Sequence, residues 1–363
     1  PYLTVDNFPD LGLLTSLRFL EWVSENPDGV VSLPTGKTPE YFIKWTHYIL
    51  NNWNKSELEN LRKENGLLIN KKPTLSQLRF VQIDEFYPLD SNQHNSFFYY
   101  VNKYYIQGFG LSSDKALLID SNKIDLGNHS NWKKVFPDMK VDLTLRYRKS
   151  KTEQESIQQE AIYRIDQWCA DYEEKIRSMG GIGFFLGGIG PDGHIAFNIR
   201  GSNHNSTTRL LETNFETQAA AATDLGGIEI SRNRLVITIG LGTITCNPDA
   251  VAIILAAGEA KAGIVKQSLE KKEDVKYPAT VLARLKNSRF YLTIGASKKL
   301  KDTYNRYWTS TEWNIKKEQK ALLNLSKKEN IFGKKLTVPD LKKDPICQNI
   351  PNLNDKTVPR IIK

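Results

Sequence analysis

The chain has 363 residues, of which 40% are hydrophobic and 25% are charged, and these proportions exclude a fibrous or largely disordered protein. Its three cysteines are too few for a disulfide framework and lack the spacing of metal ligands. No apolar run is long enough to span a bilayer, so we expect a cytoplasmic protein with no membrane partner.

The net charge of +9 comes from one end of the chain. From Lys298 onward, 16 lysines and arginines stand against 7 acidic residues, whereas the first 297 residues are neutral overall. A nucleic-acid-binding fold would spread its positive charge over one face, so we expect no nucleic-acid partner. The pattern favours a solvated basic tail, with an anionic partner for that tail as the alternative.

Short β-branched runs alternate with helical patterns along the first 300 residues. This alternation predicts a doubly wound, mainly parallel sheet with helices on both faces, a Rossmann-like α/β fold. The predicted strands are Gly29 to Leu33, Arg79 to Ile83, Ala116 to Ile119, Ile182 to Leu186, Arg234 to Ile239, Ala250 to Leu255 and Arg289 to Ile294. The predicted helices are Leu11 to Ser24, Glu40 to Asn51, Ser96 to Tyr105, Ile157 to Ile176 and Glu259 to Leu269.

Two segments depart from this alternation. Residues 120–151 are polar and rich in asparagine and lysine, which indicates an insertion; one alternating patch, Val141 to Leu145, predicts an edge strand. Beyond residue 300 the pattern becomes helical and then irregular. We therefore predict an α/β domain over residues 1–300, with the insertion at 120–151, and a basic C-terminal extension over residues 301–363.

The most informative motif follows the predicted strand Ile182 to Leu186. It runs Gly187-Gly-Ile-Gly-Pro-Asp-Gly-His-Ile-Ala-Phe-Asn198, and its four glycines let the backbone turn sharply and approach a ligand. α/β proteins bind ligands at strand ends, and Asp192 and His194 form a carboxylate–histidine pair suited to proton transfer. A glycine-rich turn with a purely structural histidine is the alternative interpretation.

A second strand end carries a loop suited to phosphate. After Gly29 to Leu33, four polar or small residues precede a predicted helix, where hydroxyls, backbone N–H groups and the helix dipole converge. The Gly-Lys-Thr sequence in this loop is not a nucleotide P-loop, because the glycine required five positions earlier is Val31. The four residues are Thr35, Gly36, Lys37 and Thr38.

A third strand end carries two adjacent carboxylates, Asp84 and Glu85, after the apolar run Arg79 to Ile83. Neighbouring residues on a strand face opposite ways, so we expect only one of them to enter a shared cavity. A polar strand end without function is the alternative.

Together these motifs resemble those of the glucosamine-6-phosphate deaminase family, also called glucosamine-6-phosphate isomerases, over roughly residues 10–297. The wider superfamily includes the 6-phosphogluconolactonases, whose loop is similar to Gly190-Pro-Asp-Gly-His194. The segments that carry the resemblance are Leu33-Pro-Thr-Gly-Lys-Thr-Pro39, Asp84-Glu-Phe86, His94-Asn-Ser-Phe97, Cys169-Ala-Asp-Tyr-Glu-Glu-Lys-Ile176 and Gly187 to Asn198.

The resemblance implies a small sugar phosphate as substrate and acid–base chemistry without a metal or organic cofactor. It assigns ring opening to His194 supported by Asp192, and proton movement between C2 and C1 of the open sugar to Asp84. The products would be fructose 6-phosphate and ammonia. It implies that the substrate and its phosphate are bound by Thr35, Gly36, Lys37, Thr38, Gly188 and Lys261.

Three positions depart from the family pattern. Ile199 stands where the deaminases carry a glutamate, Thr223 where they carry a phosphate-binding arginine, and Phe86 where they carry a tyrosine. These departures leave two alternatives open: a lactone hydrolase similar to the 6-phosphogluconolactonases, or a catalytically weak sugar-phosphate binding or sensing protein. The sequence leaves the oligomeric state open, a homo-oligomer included.

Overall fold

The computed structural model describes residues 1–127, 131–225, 227, 231–300, 308, 312–331 and 336–361. The chain divides into two compact units. The first comprises Pro1–Tyr48 and Pro73–Lys299, and the second comprises Ile49–Lys72 and Leu300–Lys363. The predicted domain boundaries, drawn at residues 300 and 301, stay a prediction.

The first unit contains two sheets. Its strands are β1 (Tyr2–Val5), β2 (Val30–Ser32), β3 (Arg79–Val81), β4 (Asp84–Tyr87), β5 (Ala116–Leu117), β6 (Phe184–Gly188), β7 (Arg209–Glu212), β8 (Leu235–Thr238), β9 (Val251–Ala256) and β10 (Asn287–Thr293). Seven of them form a sheet in the order β1-β10-β9-β6-β2-β3-β5, and every neighbouring pair is parallel. The predicted mainly parallel α/β fold is therefore confirmed.

Helices connect the parallel strands, as crossovers between parallel strands require. The helices in chain order are α1 (Phe8–Glu25), α2 (Glu40–Asn51), α3 (Ser56–Glu64), α4 (Phe97–Val101), α5 (Trp132–Val135), α6 (Glu153–Ser178), α7 (Phe215–Leu225), α8 (Leu241–Thr245), α9 (Ala262–Glu270), α10 (Ile294–Ser297), α11 (Ile315–Glu329), α12 (Val338–Lys343) and α13 (Thr357–Ile361). A π-helical segment, Asn102–Gln107, extends α4. No helix in the described part of the chain is long and apolar enough to cross a membrane.

The second sheet is antiparallel, with the order β4-β8-β7. The predicted strand Arg234 to Ile239 belongs to this sheet, as β8, and the polar residues after β3 form β4 instead of a loop. Gln82 stands where the chain passes from one sheet to the other: its Oε1 accepts from the Ile119 N–H at 2.9 Å and its Nε2 donates to the Asp84 carbonyl at 2.9 Å. This side chain supplies hydrogen bonds that a strand ladder would otherwise make.

The predicted edge strand Val141 to Leu145 is wrong. Leu143–Arg146 form a 3₁₀ helix instead, because the Asp142 carboxylate accepts from the Thr144 N–H at 2.9 Å and caps its start. The segment packs on α6, where the Gln159 amide donates to the Leu145 carbonyl at 2.6 Å. The alternating pattern thus marks a short helical turn facing α6.

The C-terminal residues have a hydrophobic core of their own, in which helices α11, α12 and α13 take part. Helix α11 contributes Ala321, Leu322 and Leu325, which recur at helical spacing. The buried residues of this cluster are Trp308, Ala321, Leu322, Leu325, Leu336, Leu341, Cys347, Ile350, Val358 and Ile361.

Candidate active site

A cavity of about 260 Å³ lies at the carboxyl ends of β2 and β6. The chain order along the sheet reverses between these strands, since β3 and β5 continue outward from β2 while β9 and β10 continue outward from β6. Ligands of α/β proteins bind at such a switch point. Eight of the nine predicted site residues line the cavity: Thr35, Gly36, Lys37, Thr38, Asp84, Gly188, His194 and Lys261.

The ninth predicted residue, Asp192, holds His194. The Nδ1 atom of His194 lies 2.6 Å from Asp192 Oδ1, and the Asp192 side chain is 1% exposed. An ionised carboxylate only accepts hydrogen bonds, so Nδ1 carries the ring proton and Nε2 keeps its lone pair in the neutral imidazole. Within the described residues we find no hydrogen bond to Nε2, which leaves that atom available to a ligand.

Asp192 stays ionised because its partners outweigh its burial. Burial alone would raise the pKa of this carboxyl group. The hydrogen bond and charge of His194, the Asn214 amide at 2.6 Å and the Arg200 N–H at 3.3 Å together hold the pKa below its ordinary value. The aspartate is therefore a fixed negative charge behind the imidazole.

The glycines of the motif let the backbone close around the histidine. A Cβ atom on Gly190 would lie 2.0 Å from the Cε1 atom of His194, so no side chain fits there. The Gly190 N–H also donates to the His194 carbonyl at 2.9 Å, and Gly193 has a φ of +89°. The ring of Phe197 stacks on the imidazole at 5.9 Å between centroids. These contacts fix the position of the ring.

The Asp84 carboxyl group faces the cavity from the start of β4, and Asp84 is only 7% exposed. Burial, and next the charge of Glu85, raise its pKa well above the ordinary value. No residue in the described ranges donates a hydrogen bond to this carboxylate. Asp84 is thus a largely buried carboxyl group that is available to bond with a ligand in the cavity.

Glu85 faces the other way, which confirms that only one of the two carboxylates enters the cavity. It is fully buried and accepts hydrogen bonds from Ser96 Oγ at 2.7 Å, the Phe98 N–H at 2.7 Å and the Phe97 N–H at 3.1 Å. Burial raises the pKa of Glu85 to about 7, although these hydrogen bonds oppose the rise. Glu85 thus anchors the start of α4 beside Asp84.

Two lysines line the end of the cavity where the loop after β2 runs into α2. Lys37 is exposed, whereas Lys261 is partly buried and donates from Nζ to the Ile189 carbonyl at 2.7 Å. Burial lowers the pKa of Lys261, opposed by the charge of Asp192. Gly188 lies against Thr38, since a Cβ atom there would be 3.0 Å from Thr38 Oγ1. This part of the cavity combines hydroxyls, ammonium groups and closely approaching backbone.

Several lining residues were not predicted. Three phenylalanines form an aromatic wall, with ring centroids 5.2 to 6.2 Å apart: Phe86, Phe97 and Phe197. Each lies within a segment that carries the family resemblance, but none was predicted as a site residue. Thr217 lines the cavity from α7, and its Oγ1 lies 3.4 Å from His194 Nδ1. Asn214 reaches Asp192 from the residue before α7. An asparagine ahead of a helical run is an N-cap signal that could have located it.

The three departures from the family pattern have different positions. Phe86 lines the cavity, whereas Ile199 does not. Thr223 belongs to α7, and its side chain lies outside the described residues. Within the described part of the chain, no group of three or more histidine, cysteine or acidic side chains could hold a metal ion.

The fold and the cavity define an α/β protein whose strand-end site carries proton-transfer groups. A glucosamine-6-phosphate deaminase of Borreliella afzelii is 30% identical over 199 residues, which cover 55% of this chain and 70% of the relative. The chain belongs to the glucosamine-6-phosphate deaminase family. No model of a known protein family matches the sequence.

Two further relatives differ in how much they share. The glucosamine-6-phosphate deaminase of Bacillus velezensis is 26% identical over 280 residues, covering 77% of this chain and 91% of the relative. The glucosamine-6-phosphate isomerase of Candida albicans is 40% identical over 118 residues, covering 32% of this chain. That match spans about half of the relative, or 48% of its length.

Solved structures share the fold at lower identity. A monomeric glucosamine-6-phosphate deaminase superposes with a TM-score of 0.61 at 22% identity, covering 82% of this chain and 99% of the other. The 6-phosphogluconolactonase of Trypanosoma cruzi superposes with a TM-score of 0.54 at 16% identity, covering 83% of this chain and 96% of the other. Both similarities concern the fold of the chain.

Proposed function

We propose that this chain is a glucosamine-6-phosphate deaminase, which converts glucosamine 6-phosphate and water into fructose 6-phosphate and ammonia. The observation that carries the proposal is the Asp84 carboxyl group. It is buried, faces the cavity and receives no hydrogen bond from the described residues. Ionising such a group is costly unless a ligand supplies a donor or a positive charge, and the protonated amine of an amino sugar supplies both.

The reaction begins with ring opening at His194. Its Nε2 atom takes the proton of the hydroxyl on C1 and delivers a proton to the ring oxygen, so the bond between C1 and that oxygen breaks and an aldehyde forms. Asp192 stabilises the imidazolium that exists between the two transfers, because its carboxylate lies 2.6 Å from Nδ1.

Asp84 then carries out the aldose–ketose conversion. The ionised carboxylate removes the proton from C2 while the aldehyde oxygen takes a proton from the substrate's ammonium group, which gives an enolamine. Returning the C2 proton to C1 then leaves a protonated imine at C2. Water adds to this imine and ammonia leaves, giving the ketose. A base with a raised pKa is the stronger proton acceptor, and the pKa of Asp84 is raised by burial and by Glu85.

The phosphate group binds in the loop after β2. Thr35 and Thr38 supply hydroxyls, Gly188 allows close approach, and Lys37 and Lys261 supply positive charge. The substrate is thus a small sugar phosphate held at one end by cations and at the other by carboxylate and imidazole. A homo-oligomeric state and a cytoplasmic location stay predictions.

A lactone hydrolase of the 6-phosphogluconolactonase kind is the second candidate. Pro191 lines the cavity between Gly190 and Asp192, as in the lactonase-like loop sequence, and His194 with Asp192 would suffice to activate water. Asp84 would have no proton to move in that reaction. Ammonia release from glucosamine 6-phosphate, measured beside hydrolysis of 6-phosphogluconolactone, tests the two functions against each other.

Lys37→Gly is expected to weaken sugar-phosphate binding by about 1.5–3 kcal/mol, the range for a hydrogen bond to a charged group. The loss should shrink for the same sugar without phosphate, because only the phosphate needs the cation. Isothermal titration of wild type and variant with fructose 6-phosphate and with fructose, in the absence of ammonia, measures the two affinities. Lys72→Gly, which removes an exposed loop lysine outside the cavity, is the control. Equal phosphate-ligand affinity in wild type and Lys37→Gly would exclude Lys37 as a phosphate-binding cation.

Glu85→Gln is expected to move the acid limb of the kcat/KM profile to lower pH. A base works only when ionised, so the rate rises with pH as Asp84 loses its proton, and this rise lies above the range of an ordinary aspartate. Removing the charge of Glu85 lowers the pKa of Asp84. Glu57→Gln, the same change at an exposed glutamate of α3 outside the cavity, is the control and should leave the profile unchanged. An acid limb that does not move in Glu85→Gln would show that Asp84 is not the group behind it.

A further inference from the structure

Asn214 uses both ends of its side-chain amide. Its Nδ2 atom donates to Asp192 Oδ2 at 2.6 Å, and its Oδ1 atom accepts from the Thr217 N–H at 3.0 Å. The second bond caps the start of α7, which begins at Phe215. One side chain therefore connects the first turn of a helix with the carboxylate behind His194.

Two groups donate hydrogen bonds to Asp192 Oδ2, and the bond from Asn214 is the shorter and stronger one. The other donor to that oxygen is the Arg200 N–H, at 3.3 Å, and charge-assisted hydrogen bonds weaken as they lengthen. With Oδ2 held by Asn214, Oδ1 is directed at His194 Nδ1 at 2.6 Å. The two bonds together hold the plane of the carboxylate in place.

The first turn of α7 adds a second contact to the same pair. Thr217 is 2% exposed, lines the cavity and places its Oγ1 3.4 Å from His194 Nδ1. The backbone N–H of Thr217 donates the hydrogen bond by which Asn214 caps the helix. The start of α7 therefore meets the Asp192–His194 pair through two side chains whose positions depend on each other.

We propose that Asn214 is a positioning residue, which couples the start of α7 to Asp192 and so keeps the proton of His194 on Nδ1. The consequence for catalysis rests on the proposed function, because it concerns proton transfer at Nε2. Asn214 does not touch the reacting atoms. It acts through Asp192, as outer hydrogen bonds that orient a histidine generally do.

Two variants separate this role from ordinary helix capping. Asn214→Ser keeps a good N-cap oxygen but lacks the amide donor, and Asn214→Asp keeps the shape and the cap while placing a second carboxylate against Asp192. The matched control is Asn7→Ser, since Asn7 caps α1 in the same way, accepting from the Asp10 N–H at 2.9 Å, away from the cavity. Thermal unfolding shows whether each variant is folded.

The primary measurement is the tautomer of the His194 ring, read from its ¹⁵N chemical shifts in the full chain at a pH where the imidazole is neutral. His194→Gln identifies the signal among the five histidines. We expect the fraction with the proton on Nδ1 to fall in Asn214→Ser and Asn214→Asp and to stay unchanged in Asn7→Ser. An unchanged tautomer in both Asn214 variants would overturn the proposal, whatever reaction the protein catalyses.

Turnover supplies the second measurement. In Asn214→Ser we expect kcat for ammonia release to fall by about tenfold or more with KM nearly unchanged, because the substrate contacts remain while proton transfer is impaired. A kcat in Asn214→Ser equal to that of wild type would contradict the proposed effect of Asn214 on catalysis. If wild type itself releases no ammonia, the proposed function fails, and the tautomer measurement still decides the role of Asn214.

Discussion

His194→Gln is expected to abolish turnover, lowering kcat for ammonia release by at least about a thousandfold. Glutamine keeps a polar side chain of similar reach but cannot exchange a proton near neutral pH, so the sugar ring stays closed. Because Nδ1 of His194 bonds to Asp192 at 2.6 Å, Nε2 is the atom available for proton transfer, and the substitution removes it. Steady-state kinetics with glucosamine 6-phosphate measures the effect.

The control for this substitution is His94→Gln, the same change at an exposed histidine outside the cavity. It should leave kcat unchanged. Thermal unfolding shows whether both variants are folded. Full activity in His194→Gln would leave His194 with a structural role only.

Asp84→Asn is expected to lower kcat by at least about a hundredfold. Asparagine has the size and shape of aspartate but cannot accept the C2 proton, so substrate binds and the ketose does not form. Exchange of the C2 hydrogen with deuterated water, followed by NMR, should be lost in the same proportion. This links the loss to the proton-transfer step itself.

Asp114→Asn, at an exposed aspartate in the 3₁₀ helix Ser113–Lys115, is the matched control and should behave like wild type. Asparagine also removes a buried carboxyl group with a raised pKa, so Asp84→Asn should not destabilise the fold. A folded Asp84→Asn protein with nearly wild-type turnover would exclude Asp84 as the base.

The sequence predicts the parallel sheet and most of the site because both depend on local patterns. Strand ends followed by glycine-rich or polar loops identified Gly187 to Asn198 and the loop Thr35 to Thr38, and the structure brings these segments to one cavity. Helix α2 runs from Glu40 to Asn51, as its apolar spacing predicts. Six of the seven predicted strands lie in the parallel sheet, and the seventh is β8.

Features that depend on distant contacts were not predictable in this way. The small sheet pairs Asp84 with Thr238, residues far apart in sequence, and no local pattern specifies that register. The patch Val141 to Leu145 alternates like a strand, yet the Asp142 cap and contacts with α6 make it helical. The link from Asn214 to Asp192 likewise depends on tertiary structure.

The most direct test of the proposed function is a paired assay of the purified 363-residue chain with glucosamine 6-phosphate and with 6-phosphogluconolactone. We expect ammonia and fructose 6-phosphate from the amino sugar, at a rate that Asp84→Asn and His194→Gln both remove, and little hydrolysis of the lactone. Lactone hydrolysis that requires His194 but not Asp84, with no ammonia released from the amino sugar, would contradict the deaminase assignment.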